Sequence, residues 1–144
     1  MGILSAASGA SIWRGYEYYT EKKVIFMEKT GEDEYKGRVA GTLPEPYRVT
    51  IDTAHIRKSK CNCPHAKGTR IICKHMVALY FAAFPEEADA YIAQVEENER
   101  EEERQLQNHY AEIKSYIKSL SKEELQEELF RTLIELEEIS GSYW

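Results

Sequence analysis

Cys61-Asn62-Cys63-Pro64 and, after nine intervening residues from Cys63, Cys73-Lys74-His75 form a C-x-C-x(9)-C-x-H pattern that holds every cysteine of the chain. Zinc takes about four nitrogen or sulfur ligands in a tetrahedron, with Zn–S near 2.3 Å. On an extended chain, residues two apart face the same side, so Cys61 and Cys63 can chelate together. In a helix, residues two apart are splayed by about 200°. Cys73 is therefore expected just before a helix and His75 in its first turn, where the helix N-terminus favours the Cys73 thiolate. His65, inside the loop, is the rival ligand; His75 is preferred because it completes the second two-residue bite. His55 and His109 read as ordinary strand and helix-surface residues.

Other readings of the same residues explain less. Buried free cysteines beside an unrelated histidine leave the clustering of all three thiols unexplained. A redox role for Cys61 and Cys63 lacks the C-x-x-C context. Catalytic zinc keeps an open coordination position, which four protein ligands fill. The deaminase signature, H-x-E with P-C-x-x-C, is missing.

Upstream of the cysteines the pattern is that of a small sheet. Residues 3–20 read as a short helix or an irregular lead-in, with Trp13, Tyr16 and Tyr19 on one face. Lys23–Glu28 is a strand candidate and Gly31–Glu34 a turn. Tyr35–Thr42 is a second strand, whose Gly37 and Gly41 suggest bulges or close backbone approach. Tyr47–Asp52 alternates, with Tyr47, Val49 and Ile51 facing one way and Arg48, Thr50 and Asp52 the other, as in a half-buried strand. Residues 54–60 can add a fourth strand leading into Cys61.

Downstream the pattern is helical. Lys74–Phe84 is apolar on two sides, so the sheet can cover only one of them. Part of the acidic C-terminal segment is expected on the other. Pro85 suits the first turn of a further helix. Residues 96–104 read as a solvated helical stretch. Leu106, Tyr110, Ile113, Ile117 and Leu120 then recur at spacings of four and three. Ser121 with Glu124 forms a capping box for a last helix carrying Leu125, Leu129, Leu133 and Leu136. The break at Leu120–Ser121 predicts an αα-hairpin.

Composition agrees with two parts. The 144 residues carry a net charge of −6. Residues 1–80 hold 13 Lys/Arg and 8 Asp/Glu, and residues 81–144 hold 6 and 17, so +5 and −11 sum to −6. The odd cysteine count and the clustering point to metal ligation in a reducing compartment rather than to a disulfide scaffold. The start lacks the basic flank and apolar run of a secretion signal. A soluble cytoplasmic protein, nuclear if eukaryotic, is expected, with no membrane association.

Arg14-Gly15, Tyr18-Tyr19, Val24, Val39, Gly41, Tyr47-Arg48-Val49, Cys61-x-Cys63-Pro64 and Cys73-Lys74-His75-Met76 with Ala78 follow the order of the SWIM zinc finger. Over residues 13–82 the chain resembles that family. The resemblance implies a small β-sheet followed by a helix, with zinc between them, and binding of DNA or of other proteins. The family occurs beside helicase-like and transposase-like domains and in ubiquitin ligases, and none of these is present in this sequence.

The expected fold is therefore α+β: a small antiparallel sheet with a zinc-anchored helix at residues 1–84, and an acidic helical extension with an αα-hairpin at residues 85–144. The expected ligands are Cys61, Cys63, Cys73 and His75, holding Zn²⁺. No nucleophile–base pair, phosphate-binding glycine loop or paired-acid constellation stands out, so a non-enzymatic module is expected. A protein partner is the first reading. Nucleic acid is the alternative, through Arg57, Lys58, Lys60, Lys67, Arg70 and Lys74, because residues 47–80 carry seven basic residues against Asp52 alone. Compensation of a zinc–thiolate site of net −1 accounts for the same charges. Self-association through the C-terminal helices is a third option.

Overall fold

The computed structural model describes residues 2–141. It divides into two compact units, one up to Ala93 and one from Gln94 onward.

In the first unit, helices α1 (Ile3–Ala6) and α2 (Gly9–Thr20) lead into strands β1 (Val24–Lys29), β2 (Glu34–Val39), β3 (Tyr47–Asp52) and β4 (Lys60–Cys61). The strands form one antiparallel sheet in chain order. Helix α3 (Lys74–Ala83) packs on it. The alternation read from β3 is realised by Tyr47, Val49 and Ile51, which are buried, and by Arg48, which is exposed. Gly37 provides a close approach: a Cβ there would lie 2.6 Å from Leu79 Cδ1 and 2.6 Å from the Phe26 carbonyl. The register irregularity lies not at that glycine but in β1, between Val24 and Phe26.

Asp52 departs from its expected outward position. It is buried, and its carboxylate accepts from the backbone N–H of Ala54 (2.9 Å) and of His55 (2.7 Å). Its own N–H donates to Ser59 Oγ at 3.1 Å. These bonds hold a 3₁₀ turn (Ile56–Lys58) that carries the chain back onto β3. The hydrogen bonds to the charged carboxylate, first that from His55, lower the Asp52 pKa.

The two-sided apolar character of α3 is explained mainly by α2 rather than by the C-terminal segment. Gly15 is buried in α2, and a Cβ there would collide with the Val77 side chain. Tyr16 and Tyr19 meet the Phe81 ring at 6.0 and 6.1 Å. The acidic segment contributes at one end, where Ala88 is fully buried and Tyr91 lies 5.6 Å from Phe81. Both residues belong to the start of helix α4 (Pro85–Ser119).

In the second unit the rest of α4 is joined by Leu120–Ser121 to α5 (Lys122–Ser140). The capping box is present: Glu124 N donates to Ser121 Oγ (3.2 Å) and Ser121 N to Glu124 Oε1 (2.9 Å). Gly141, left-handed at φ 81°, closes the helix. Residues 96–104 form i,i+3 ion pairs, Arg100 with Glu97 at 2.9 Å and Arg104 with Glu101. No helix among the described residues is long and apolar enough to cross a membrane.

Candidate metal centre

Each ligand is delivered by a different local device. Cys61 ends β4, opposite Val49 in β3. Asn62 clamps the chelating pair to the sheet, its Oδ1 accepting from Arg48 N at 2.8 Å. The Cys63 carbonyl accepts from Ala66 N (3.2 Å) and Lys67 N (2.9 Å), which turns the chain away from the second thiol. The turn continues through Gly68, at φ 75°, and is fastened by Thr69 Oγ1, which donates to the Ala66 carbonyl and accepts from Ile71 N. Cys73 is the N-cap of α3, and His75 lies in its first turn.

All four residues are buried, and their ligand atoms lie within 4.8 Å of one another. His75 Nδ1 is 3.7 Å from Cys61 Sγ and 3.8 Å from Cys73 Sγ. The edges of a tetrahedron with zinc–sulfur and zinc–nitrogen bonds of ordinary length measure roughly 3.5–3.8 Å. Nδ1 is thus the ligating nitrogen. Nε2 is buried with no hydrogen-bond partner among the described residues, and the imidazole packs 4.6 Å from the Tyr47 ring and 5.5 Å from Tyr18.

The electrostatics call for a cation. The hydrogen bond from Cys61 pulls the Cys73 thiol down to about 4, against burial, with His75 and the Met76 backbone N–H assisting. The same contact and desolvation push the Cys61 thiol far up. Three thiolates can coexist there only around a multivalent cation, and three sulfurs with one imidazole nitrogen suit zinc.

His65 is exposed and stands outside the ligand group. It lines a cleft of about 440 Å³ beside Cys63 and Cys73, together with Arg14 and Lys74. The Lys74 ammonium sits 4.9 Å over the Tyr18 ring. His55 lies in the turn after β3, 3.7 Å from Asp52, and His109 is exposed on α4.

The basic residues singled out from the sequence are distributed over several places. Arg57 and Lys58 are on the 3₁₀ turn, Lys60 and Lys67 share a depression with Arg48, and Arg70 borders a separate one beside α2. The strand register reveals a grouping that linear charge counting missed. Lys36 and Arg38 on β2, Arg48 on β3 and Lys60 on β4 alternate with buried neighbours and are all exposed. Arg38 lies directly opposite Arg48. Asn62 and Asp52 were likewise missed as positioning residues. The available signals were the asparagine between two ligands and an aspartate closing a strand before a turn.

A buried Cys₃His centre closed by four protein ligands defines a structural zinc module. Residues 47–84 match the family model of the SWIM zinc finger, a span that takes in β3, all four ligands and α3. No curated protein and no solved structure matches the chain.

Proposed function

We propose that this chain is a non-enzymatic adaptor in which zinc holds a compact finger and the helical unit docks a protein partner. The observation that carries this reading is the apolar surface of the second unit. Between Leu106 and Ile139, eleven large apolar side chains are 37–83 % exposed. A surface of that kind marks an interaction site rather than ordinary solvent-facing residues. The zinc is structural because four protein ligands complete its coordination, and three thiol ligands suit a reducing compartment. A photo-crosslinker placed at Phe130 tests the reading in cells. It is expected to give a discrete adduct with protein; an adduct with nucleic acid, or none at all, contradicts it.

A second reading, nucleic-acid binding by the finger, is favoured by the basic sheet face. Like charges directly opposite in a sheet are destabilising, and Arg38 faces Arg48 with no ion pair to either among the described residues. A polyanion relieves that repulsion and releases counterions as it binds. Arg48→Glu is expected to abolish binding to duplex DNA at low salt. Absence of binding by the unmodified chain in a salt titration removes this reading.

A further inference from the structure

We infer that the occupant of the helical unit's apolar surface is a second copy of this chain, the two hairpins pairing as a four-helix bundle. The inference rests on the reading of that unit as a docking surface. Helices α4 and α5 share an open cleft of about 390 Å³ lined by Ile113, Ile117, Leu120, Leu125 and Leu129. Of these, Ile113, Ile117, Leu125 and Leu129 are 37–59 % exposed, and Leu120 at the turn is more covered.

Three features favour self-pairing. The first is area. With roughly 200 Å² for a large apolar side chain and about half of it open on each, the nine residues other than Phe130 and Ile134, which lie on the far side of α5 from Leu125, offer on the order of 900 Å². A stable dimer covers about 800 Å² on each partner. The second is length. The stripe on α4 stops at Leu106 because Glu99 and Glu103 occupy its next two positions. It runs to Leu120, and the stripe on α5 runs from Leu125 to Ile139. Both are about 22 Å long at 1.5 Å per residue, and both start at the same turn. Two such hairpins match end to end.

The third feature is charge. From Leu106 to Ser119, α4 carries Lys114 and Lys118 against Glu112. Helix α5 carries Lys122 and Arg131 against seven glutamates. Two α5 helices side by side repel, whereas α4 of one copy attracts α5 of the other. A twofold axis that sets each α4 between two α5 helices satisfies both conditions and makes the patch self-complementary.

Sedimentation equilibrium of the full-length zinc-loaded chain, with an apolar fluorescent dye as a second readout, tests the proposal. A mass about twice the 16.7 kDa monomer is expected. Leu129→Glu is expected to raise the dimer dissociation constant more than about tenfold. Ile139→Glu, at a site 83 % exposed and therefore harmless to the protomer's own fold, should weaken the dimer in the same direction with unchanged helicity. A monomer that binds the dye overturns self-pairing while leaving the helical unit as a surface for another protein. A monomer that excludes the dye overturns both, since the chain then covers the surface itself. A dimer indifferent to both substitutions overturns the proposed interface.

Discussion

The finger and the helical unit solve the folding problem in opposite ways. In the finger, residues far apart in sequence meet: Ile3, Val39, Ile51, Leu79 and Phe81 are fully buried together, and one site draws on β4, the following turn and α3. In the helical unit no described residue is buried, and order comes from neighbours three and four apart, through the Glu97–Arg100 pair and the Ser121–Glu124 box. The first unit spends its apolar side chains on itself, whereas the second leaves them open. A region built locally can keep an apolar surface for a partner; a region of this size built by long-range contacts needs its apolar surface, and its metal, for its own stability.

The strongest way to break this contrast is to remove a ligand. Cys73→Ser is expected to lose most of the ~10–16 kcal/mol that structural zinc typically contributes. The finger should then unfold while α4 beyond Ala93 and α5 keep their helicity. Hydrogen exchange read by peptide checks this, and uniform loss of protection across the chain contradicts it. Acid should act in the same direction, because zinc binds the deprotonated ligands: the zinc-dependent stability is present at neutral pH and lost as pH falls.

Phe81→Ala is expected to destabilise the finger by about 3–5 kcal/mol with zinc still bound, since its ring packs among Tyr16, Tyr19 and Tyr91. Denaturant melts followed by tyrosine signals and by metal release separate the two effects. Ser121→Ala is expected to cost about 1 kcal/mol and to act only on the helical unit, fraying α5 without moving the finger's melting temperature. The smallest effect concerns Glu124, whose pKa is lowered by the Ser121 backbone and side chain. Its contribution is present above the ordinary value of 4.5 and fades as pH falls through the lower, folded value. The helicity gap between the chain and Glu124→Gln should close over that range.

The parts legible in the sequence are those encoded by spacing. The four ligands, β3, the entry to α3 and the Ser121–Glu124 box all follow from local periodicity or chelate geometry. What was not legible depends on contacts across the chain. The cover on α3 comes mainly from α2, through the Gly15–Val77 approach and the packing of Tyr16 and Tyr19 on Phe81. Asp52 reads as solvent-facing by alternation, yet the turn after β3 turns it inward to cap two N–H groups. The basic face emerges only when strand register sets Arg38 against Arg48, because its members lie on three strands.

X-ray absorption at the zinc edge of the purified chain tests the central claim most directly. One zinc per chain is expected, with three sulfur neighbours near 2.3 Å and one nitrogen near 2.0–2.1 Å, and with the nitrogen shell lost in His75→Ala. Material free of zinc, or a zinc shell of oxygen and nitrogen without sulfur, contradicts it.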